Sequence, residues 1–148
     1  FYTLTVLATA LFDKPAFKNV IVNGIILAED GQKMSKRLKN YPEPTTVVNR
    51  FGADAVRLYL LNSPAVSAED LRFSERGVEL ISRQVLIPFW NSFIFLSTYA
   101  KIDHWHPKEL KQPTTEIDRW ILSMLQKLIL EVTEAMDSYH LNRAVEPL

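Results

Sequence analysis

The sequence has no cysteine, which removes disulfides and thiolate zinc sites from its chemistry and fits a reducing compartment. It has no net charge either. Seventeen basic residues balance seventeen acidic ones, so no global field draws a polyanion, and any nucleic-acid contact must come from local patches. Only four glycines occur, and none builds a Gly-rich Walker loop after a strand. No serine–histidine–acid constellation can be assembled, and no internal repeat, low-complexity tract, signal or transit segment is visible. The apolar run at Tyr2–Phe12 is too short for a membrane span and ends at Asp13-Lys14-Pro15. These absences point to the cytoplasm and away from a membrane.

What is present is a chain of 148 residues, 47% hydrophobic, enough for one modest core or for pieces of two. Its ends suggest pieces. Phe1-Tyr2 opens inside an apolar run, and Ala144–Leu148 stops where a helix is starting, so a fragment is expected. Tyr2–Phe12 is apolar nearly all round, as for a helix packed between a sheet and a second layer. Asn19–Ala28, NVIVNGIILA, reads as a buried strand rich in β-branched residues. Gly24 interrupts it and implies a close backbone approach, either by a ligand or by a bulge or tight packing.

The strongest chemical signal follows. In NGIILAEDGQKMSKR, Asn23 to Arg37, a hairpin with an Asp30-Gly31 turn leads into Lys33, Lys36, Arg37 and Lys39, four cations within seven residues. Lysines three apart can reach one polyphosphate from two angles. By charge alone, a short basic run is more often a solvated surface loop. Glu29 and Asp30 are adjacent and serve a turn better than acid–base chemistry.

Tyr41-Pro42-Glu43-Pro44 breaks structure, and two short helices follow at Thr45–Phe51 and Ala53–Asn62, divided by Gly52. Val47, Val48, Phe51, Val56, Leu58, Tyr59 and Leu61 supply their buried faces. Asp54 and Arg57 are placed to pair, as structure rather than chemistry. Ser74 is expected to cap a helix over Glu75–Ile102, with Pro88 bending it and Phe89, Trp90, Phe93 and Phe95 extensively buried. Base stacking by these aromatics is the lesser expectation. Residues 103–114 form a polar linker with two prolines and a domain boundary. His104 and His106 flank Trp105 there, but with no third ligand a linker anchored by tryptophan is a better reading than a metal site. Thr115 opens a helix with a capping-box pattern, and its apolar spacing runs from Ile117 to Ala135. His140, near a helix end, needs no role beyond the terminal carbonyls.

The Lys-Met-Ser-Lys word, the FGADAVR word at Phe51–Arg57 and the helical region after them occur in the order found in class I aminoacyl-tRNA synthetases, whose signature loop is KMSKS. The flanking runs FYTLTVLATALFDKPAFKNVIVNG and RLKNYPEPTTVVNRFGADAVRLYLLNSP resemble the isoleucyl enzymes, and within them the cytosolic eukaryotic type, where arginine at the fifth loop position is familiar. The resemblance covers the whole chain. It implies an α/β then all-α architecture: the C-terminal part of a Rossmann-like catalytic fold over 1–44, stem-contact and connecting helices over 45–102, the linker, and the start of a helical anticodon-binding domain over 115–148.

The activity it implies is ATP-dependent formation of isoleucyl adenylate and transfer to tRNA(Ile), with magnesium accompanying ATP. Lys36 and Lys33 are the catalytic residues carried over, stabilising polyphosphate charge. Asn23 and Gly24 would border the adenosine, Met34 would anchor the loop, and Ser35 would hydrogen-bond phosphate. Arg37 stands where the class motif has serine, and an arginine there could strengthen anion binding. Expected partners are tRNA(Ile) and isoleucine, with room for other synthetases in a complex. The second class signature, HIGH, is absent from these residues, as are any editing domain and the amino-acid pocket. A valyl, leucyl or methionyl enzyme, or a noncatalytic synthetase-derived RNA-binding module, is the alternative.

Overall fold

The computed structural model describes residues 1–107 and 113–148. At its centre is a short parallel pairing of β1 (Ile26–Leu27) with β2 (Leu71–Arg72), Ile26 opposite Leu71 and Leu27 opposite Arg72. Parallel strands need a crossover. Here it runs through α2 (Pro44–Phe51) and α3 (Ala53–Leu61). Pro44 occupies the first turn of α2, where its missing N–H costs no helical bond. Between the helices Gly52 has φ 89°, and a Cβ there would meet nothing within 4 Å. The backbone angle, not crowding, selects glycine.

The core forms where α2, α3 and α4 (Glu75–Ile81) converge. Val47, Ala55 and Val78 are buried, with Phe51, Val56, Tyr59, Phe73 and Leu86 packed around them. Tyr59 meets Phe73 edge to face at 5.6 Å, its hydroxyl accepts the Ser74 N–H at 3.2 Å, and it donates to the Arg72 carbonyl at 3.4 Å. One aromatic side chain thus ties α3 to the β2–α4 junction. The chain returns to this unit at its end, where α7 (Leu141–Val145) packs on α3 and on the tight turn Pro64–Ser67, burying Ala144 and Val145.

The two expected crossover helices agree with this within a residue at each end. Other expectations are corrected. The strand expected over Asn19–Ala28 is regular only at Ile26–Leu27. Its parallel neighbour pairs over two residues, and Val20, Ile21 and Val22 stay exposed, because β-branched residues favour a strand only where a sheet surface receives them. Helix α1 (Tyr2–Phe12) has the expected bounds, ending at Asp13 in the left-handed conformation, yet none of its residues is buried. No described element packs extensively on it, so the layer expected around it is not formed by these residues.

The helix expected over Glu75–Ile102 is continuous but irregular: α4, a wide-turn π segment at Ser82–Leu86, then α5 (Ile87–Ile102). The irregular turn lies just before Pro88, whose missing N–H leaves the Gln84 carbonyl without its helical donor. Ser74 does stand at the N-cap, but its side chain makes no capping bond; its carbonyl instead accepts from Gly77 and Val78. The aromatic residues of α5 are not buried, Phe89 being 74% and Phe95 67% exposed. Thr115 caps α6 (Glu116–Asp137) as expected, its hydroxyl oxygen accepting the Asp118 N–H at 3.2 Å. Part of the expected 103–114 linker, residues 108–112, lies outside the described residues.

Candidate functional site

The basic loop is built on a turn that the sequence makes in a few local steps. Gly31 N–H donates to Ala28 O and Ala28 N–H to Gln32 O, while Asp30 Oδ1 accepts the Gln32 N–H at 2.9 Å. Asp30 therefore acts in the turn, and Gly31 takes φ 81°, which a residue with a Cβ resists. Lys33 then pairs back to Leu27 in an antiparallel bridge, so the expected hairpin is present in short form.

Beyond Lys33 the chain makes a second turn, which one side chain clasps. Asn40 Oδ1 accepts the Ser35 N–H at 2.9 Å, and Asn40 Nδ2 donates to the Lys33 carbonyl at 3.2 Å. The Lys39 N–H closes the turn on Ser35 O at 3.0 Å, with Lys39 itself at φ 49°. Lys33, Lys36, Arg37 and Lys39 all project from this clasp as exposed residues. Among the described residues none of the four joins an ion pair. Four uncompensated cations on an ordered turn can receive a polyanion without first breaking an internal pair. Asn40 is the residue that sequence reasoning missed; its signal was an asparagine placed just before a Tyr-Pro break.

Met34 points the other way. It borders an apolar cavity of about 230 Å³ with Ile26, Tyr41, Val47, Val56 and Phe73 and is half-buried, so it anchors the loop to the core. Ser35 is also half-buried, and its amide and carbonyl are both engaged within the turn. Asn23 and Gly24 border a different cavity, of about 410 Å³, with Arg57, Ala65 and Leu141. The two cavities share Ile26 and Leu60 as their common wall. The structure thus brings Lys33, Met34, Ser35 and Lys36 together and sets Asn23 and Gly24 across that wall.

At Gly24 the close approach is made by the chain itself. Its N–H donates to Ala65 O at 2.8 Å, and a Cβ would run into the Glu69 carbonyl. Tight packing therefore explains the glycine. His104 and His106 line a shallow depression with Trp105 and Tyr99, and among the described residues no group of three His, Cys, Asp or Glu could hold a metal ion. The His140 backbone N–H donates to Ala135 O at 2.8 Å, a bond that does not involve the imidazole.

With this geometry in view, likenesses to known proteins can be placed on it. Residues 1–72 match the family described as tRNA synthetases class I (I, L, M and V), and residues 118–148 match the anticodon-binding domain of tRNA ligase. An isoleucine–tRNA ligase from Protochlamydia amoebophila is 62% identical over 148 residues, covering 99% of this chain and 14% of that protein. One from Chlamydia trachomatis serovar D is 60% identical with the same coverage, and one from Treponema denticola is 51% identical over 100% of this chain and 15% of the relative. A leucyl-tRNA synthetase from Agrobacterium radiobacter K84, solved in a ternary complex with tRNA and LeuAMS, aligns with TM-score 0.73 at 27% identity, covering 99% of this chain and 19% of that one. The chain spans about 14% of the length of the curated relatives it matches. These isoleucine relatives are bacterial, so the likeness to a cytosolic eukaryotic type finds no support in them.

Proposed function

We propose that the chain is part of a class I tRNA synthetase and serves as the signature-loop segment of an isoleucine–tRNA ligase, joining ATP and isoleucine into isoleucyl adenylate and passing the isoleucyl group to tRNA(Ile). The observation that carries this is the clasped turn with four cations that join no ion pair among the described residues. The isoleucine reading is favoured over a leucyl one by identity, 62% against 27%. A valyl or methionyl enzyme would differ in an amino-acid pocket that these residues do not contain.

In this reading Lys36 and Lys33 act as preorganised cations on the β- and γ-phosphates, where negative charge grows on the departing pyrophosphate. Ser35 contributes its hydroxyl, and Met34 holds the loop against the core. Asn23 and Gly24 border the nucleoside across the shared wall formed by Ile26 and Leu60. The loop suits a polyphosphate, and magnesium would accompany the nucleotide on its phosphate oxygens. We assign residues 1–44 to the catalytic domain, 45–102 to acceptor-stem contact and connection, and 115–148 to the anticodon-binding helices.

The helix Glu75–Ile102 has the length and composition to cross a membrane. Its first turns instead carry Val78 into the core, and an Arg83–Glu79 pair lies along it, which suits packing against protein. The apolar faces of α1, α5 and α6 are better covered by the rest of the same polypeptide than by another synthetase, and the setting is cytoplasmic. A noncatalytic module would tolerate loss of the loop lysines; an enzyme would not. Lys36→Ala in the full-length protein is expected to slow isoleucine-dependent pyrophosphate exchange by about two to three decades, corresponding to roughly 2.7–4 kcal/mol for one preorganised donor. Unchanged exchange in a folded Lys36→Ala protein would end the catalytic reading.

A further inference from the structure

We propose that Arg72 is a positioning residue for the basic loop, holding the Gly31 turn from the neighbouring strand in the form that presents Lys33 and Lys36. The proposal rests on the reading of that loop as a polyphosphate site. Arg72 lies opposite Leu27 in the parallel register, level with the point where β1 gives way to the turn. Its backbone is fixed on both sides, because the Leu71 N–H donates to Ile25 O and the Phe73 N–H to Leu27 O, each at 2.9 Å. The Tyr59 hydroxyl donates to its carbonyl at 3.4 Å.

From this fixed base the guanidinium reaches the turn. A methyl group placed on Gly31 would sit 3.1 Å from Nε, 3.2 Å from Cζ and 3.3 Å from Nη2 of Arg72. Near-equal distances to three atoms of one plane mean that the face of the group, not its edge, covers the glycine. A planar, weakly hydrated cation can lie flat on backbone in this way, whereas a lysine ammonium is a compact, strongly hydrated point. Among the described residues Arg72 is in no ion pair, so no carboxylate draws it from the turn. Gly31 is thus favoured by its φ of 81°, and a methyl group there would press on the guanidinium, which would have to give by a few tenths of an ångström.

The test uses full-length Arg72→Ala, Arg72→Lys, Gly31→Ala and the Gly31→Ala/Arg72→Ala double variant. Without any substrate, Arg72→Ala should speed amide exchange at Gln32–Lys39 several-fold, with Arg72→Lys recovering less than half of the protection. In pyrophosphate exchange, Arg72→Ala should lower kcat/KM for ATP by about tenfold while leaving the KM for isoleucine unchanged, the sign of a displaced loop rather than a loosened fold. Gly31→Ala should disturb loop exchange less in the Arg72→Ala background than in the parent, because the tight methyl–guanidinium contact is then gone and only the φ strain remains. Unaltered loop exchange in Arg72→Ala, or an equal effect of Gly31→Ala in both backgrounds, would overturn the proposal. The exchange readings need no substrate. If Arg72→Ala loosens the loop while Lys36→Ala leaves catalysis intact, the positioning contact stands and the synthetase reading of the loop fails.

Discussion

Helices α3 and α5 are both rich in apolar residues, yet one lies in the core and the other is exposed along its length. In α3, Ala55 is fully buried and Tyr59 reaches across to Phe73 and Ser74. In α5, Phe89, Trp90, Phe93 and Phe95 project outward, and no residue of the helix is buried. Apolar content specifies that a segment will form a helix with something to bury. What it packs against is decided by distant residues, and α3 finds β2 and α4 where α5 finds no described element. A stability measurement should therefore register substitutions around α3, and an association measurement those on α5.

The largest effect is expected at Gly24, where the central unit is tightest. Gly24→Ala places a methyl group against the Glu69 carbonyl, with backbone on both sides of the collision, and should cost about 3 kcal/mol in urea unfolding of the 148-residue chain. Gly52→Ala is the control. It meets open space and carries only backbone strain, about 1–3 kcal/mol for φ 89° with ψ 150°, a region that is nearly glycine's alone. Unchanged urea unfolding in Gly24→Ala would mean that the Gly24–Glu69 approach is not a packing constraint.

Next in size is the direct contrast of the two regions. Val78→Ala removes methyl groups from a fully buried site and should lower stability by about 2 kcal/mol. Phe89→Ala, on the exposed helix, should change unfolding by no more than about 0.5 kcal/mol. It should instead weaken self-association of the chain, read as a concentration-dependent shift in sedimentation. A Phe89→Ala variant as destabilised as Val78→Ala would show that α5 packs within the chain after all.

How much of this was legible in sequence follows the same division. Local chemistry was readable: Asp30-Gly31 made its turn, Gly52 divided two helices, Thr115 accepted the Asp118 N–H, and the basic loop stood out by its spacing. Non-local events were not. Nothing in NVIVNGIILA tells that only Ile26–Leu27 will find a partner, since that depends on a two-residue strand some 45 positions later. The Asn40 clasp lay between these cases, local in sequence but reaching back seven residues through its side chain. Contacts such as that of Arg72 with Gly31 require the strand register before they can be seen.

Asn40 permits a smaller test within the central unit. Asn40→Ala removes two hydrogen bonds that are exposed or part-buried, for a loss of about 1 kcal/mol, felt as faster amide exchange across the basic loop and not as global unfolding. Exchange at Val47 or Val78 speeded as much as at Ser35, or no change at Ser35, would show that the clasp does not act on the turn alone.

The smallest effect belongs to the Asp54–Arg57 pair on α3, which is close in space yet lies on the solvent side of a core helix. Its atoms are 3.3 Å apart, but the two side chains are 76% and 77% exposed, so water and salt screen most of the attraction. Asp54→Asn should cost about 0.3–0.5 kcal/mol at low salt and lose that difference near molar salt. Asp54 also lies in the first turn of α3, where a negative charge favours the helix terminus, and this contribution is screened by the same salt. The double variant with Arg57→Gln separates the two: a cost that persists when Arg57 is absent belongs to the helix terminus, and a cost that vanishes belongs to the pair. An effect above about 1 kcal/mol that salt leaves unchanged would place these side chains against a partner that excludes water, and α3 would then share the unpartnered character of α5 on its outer face.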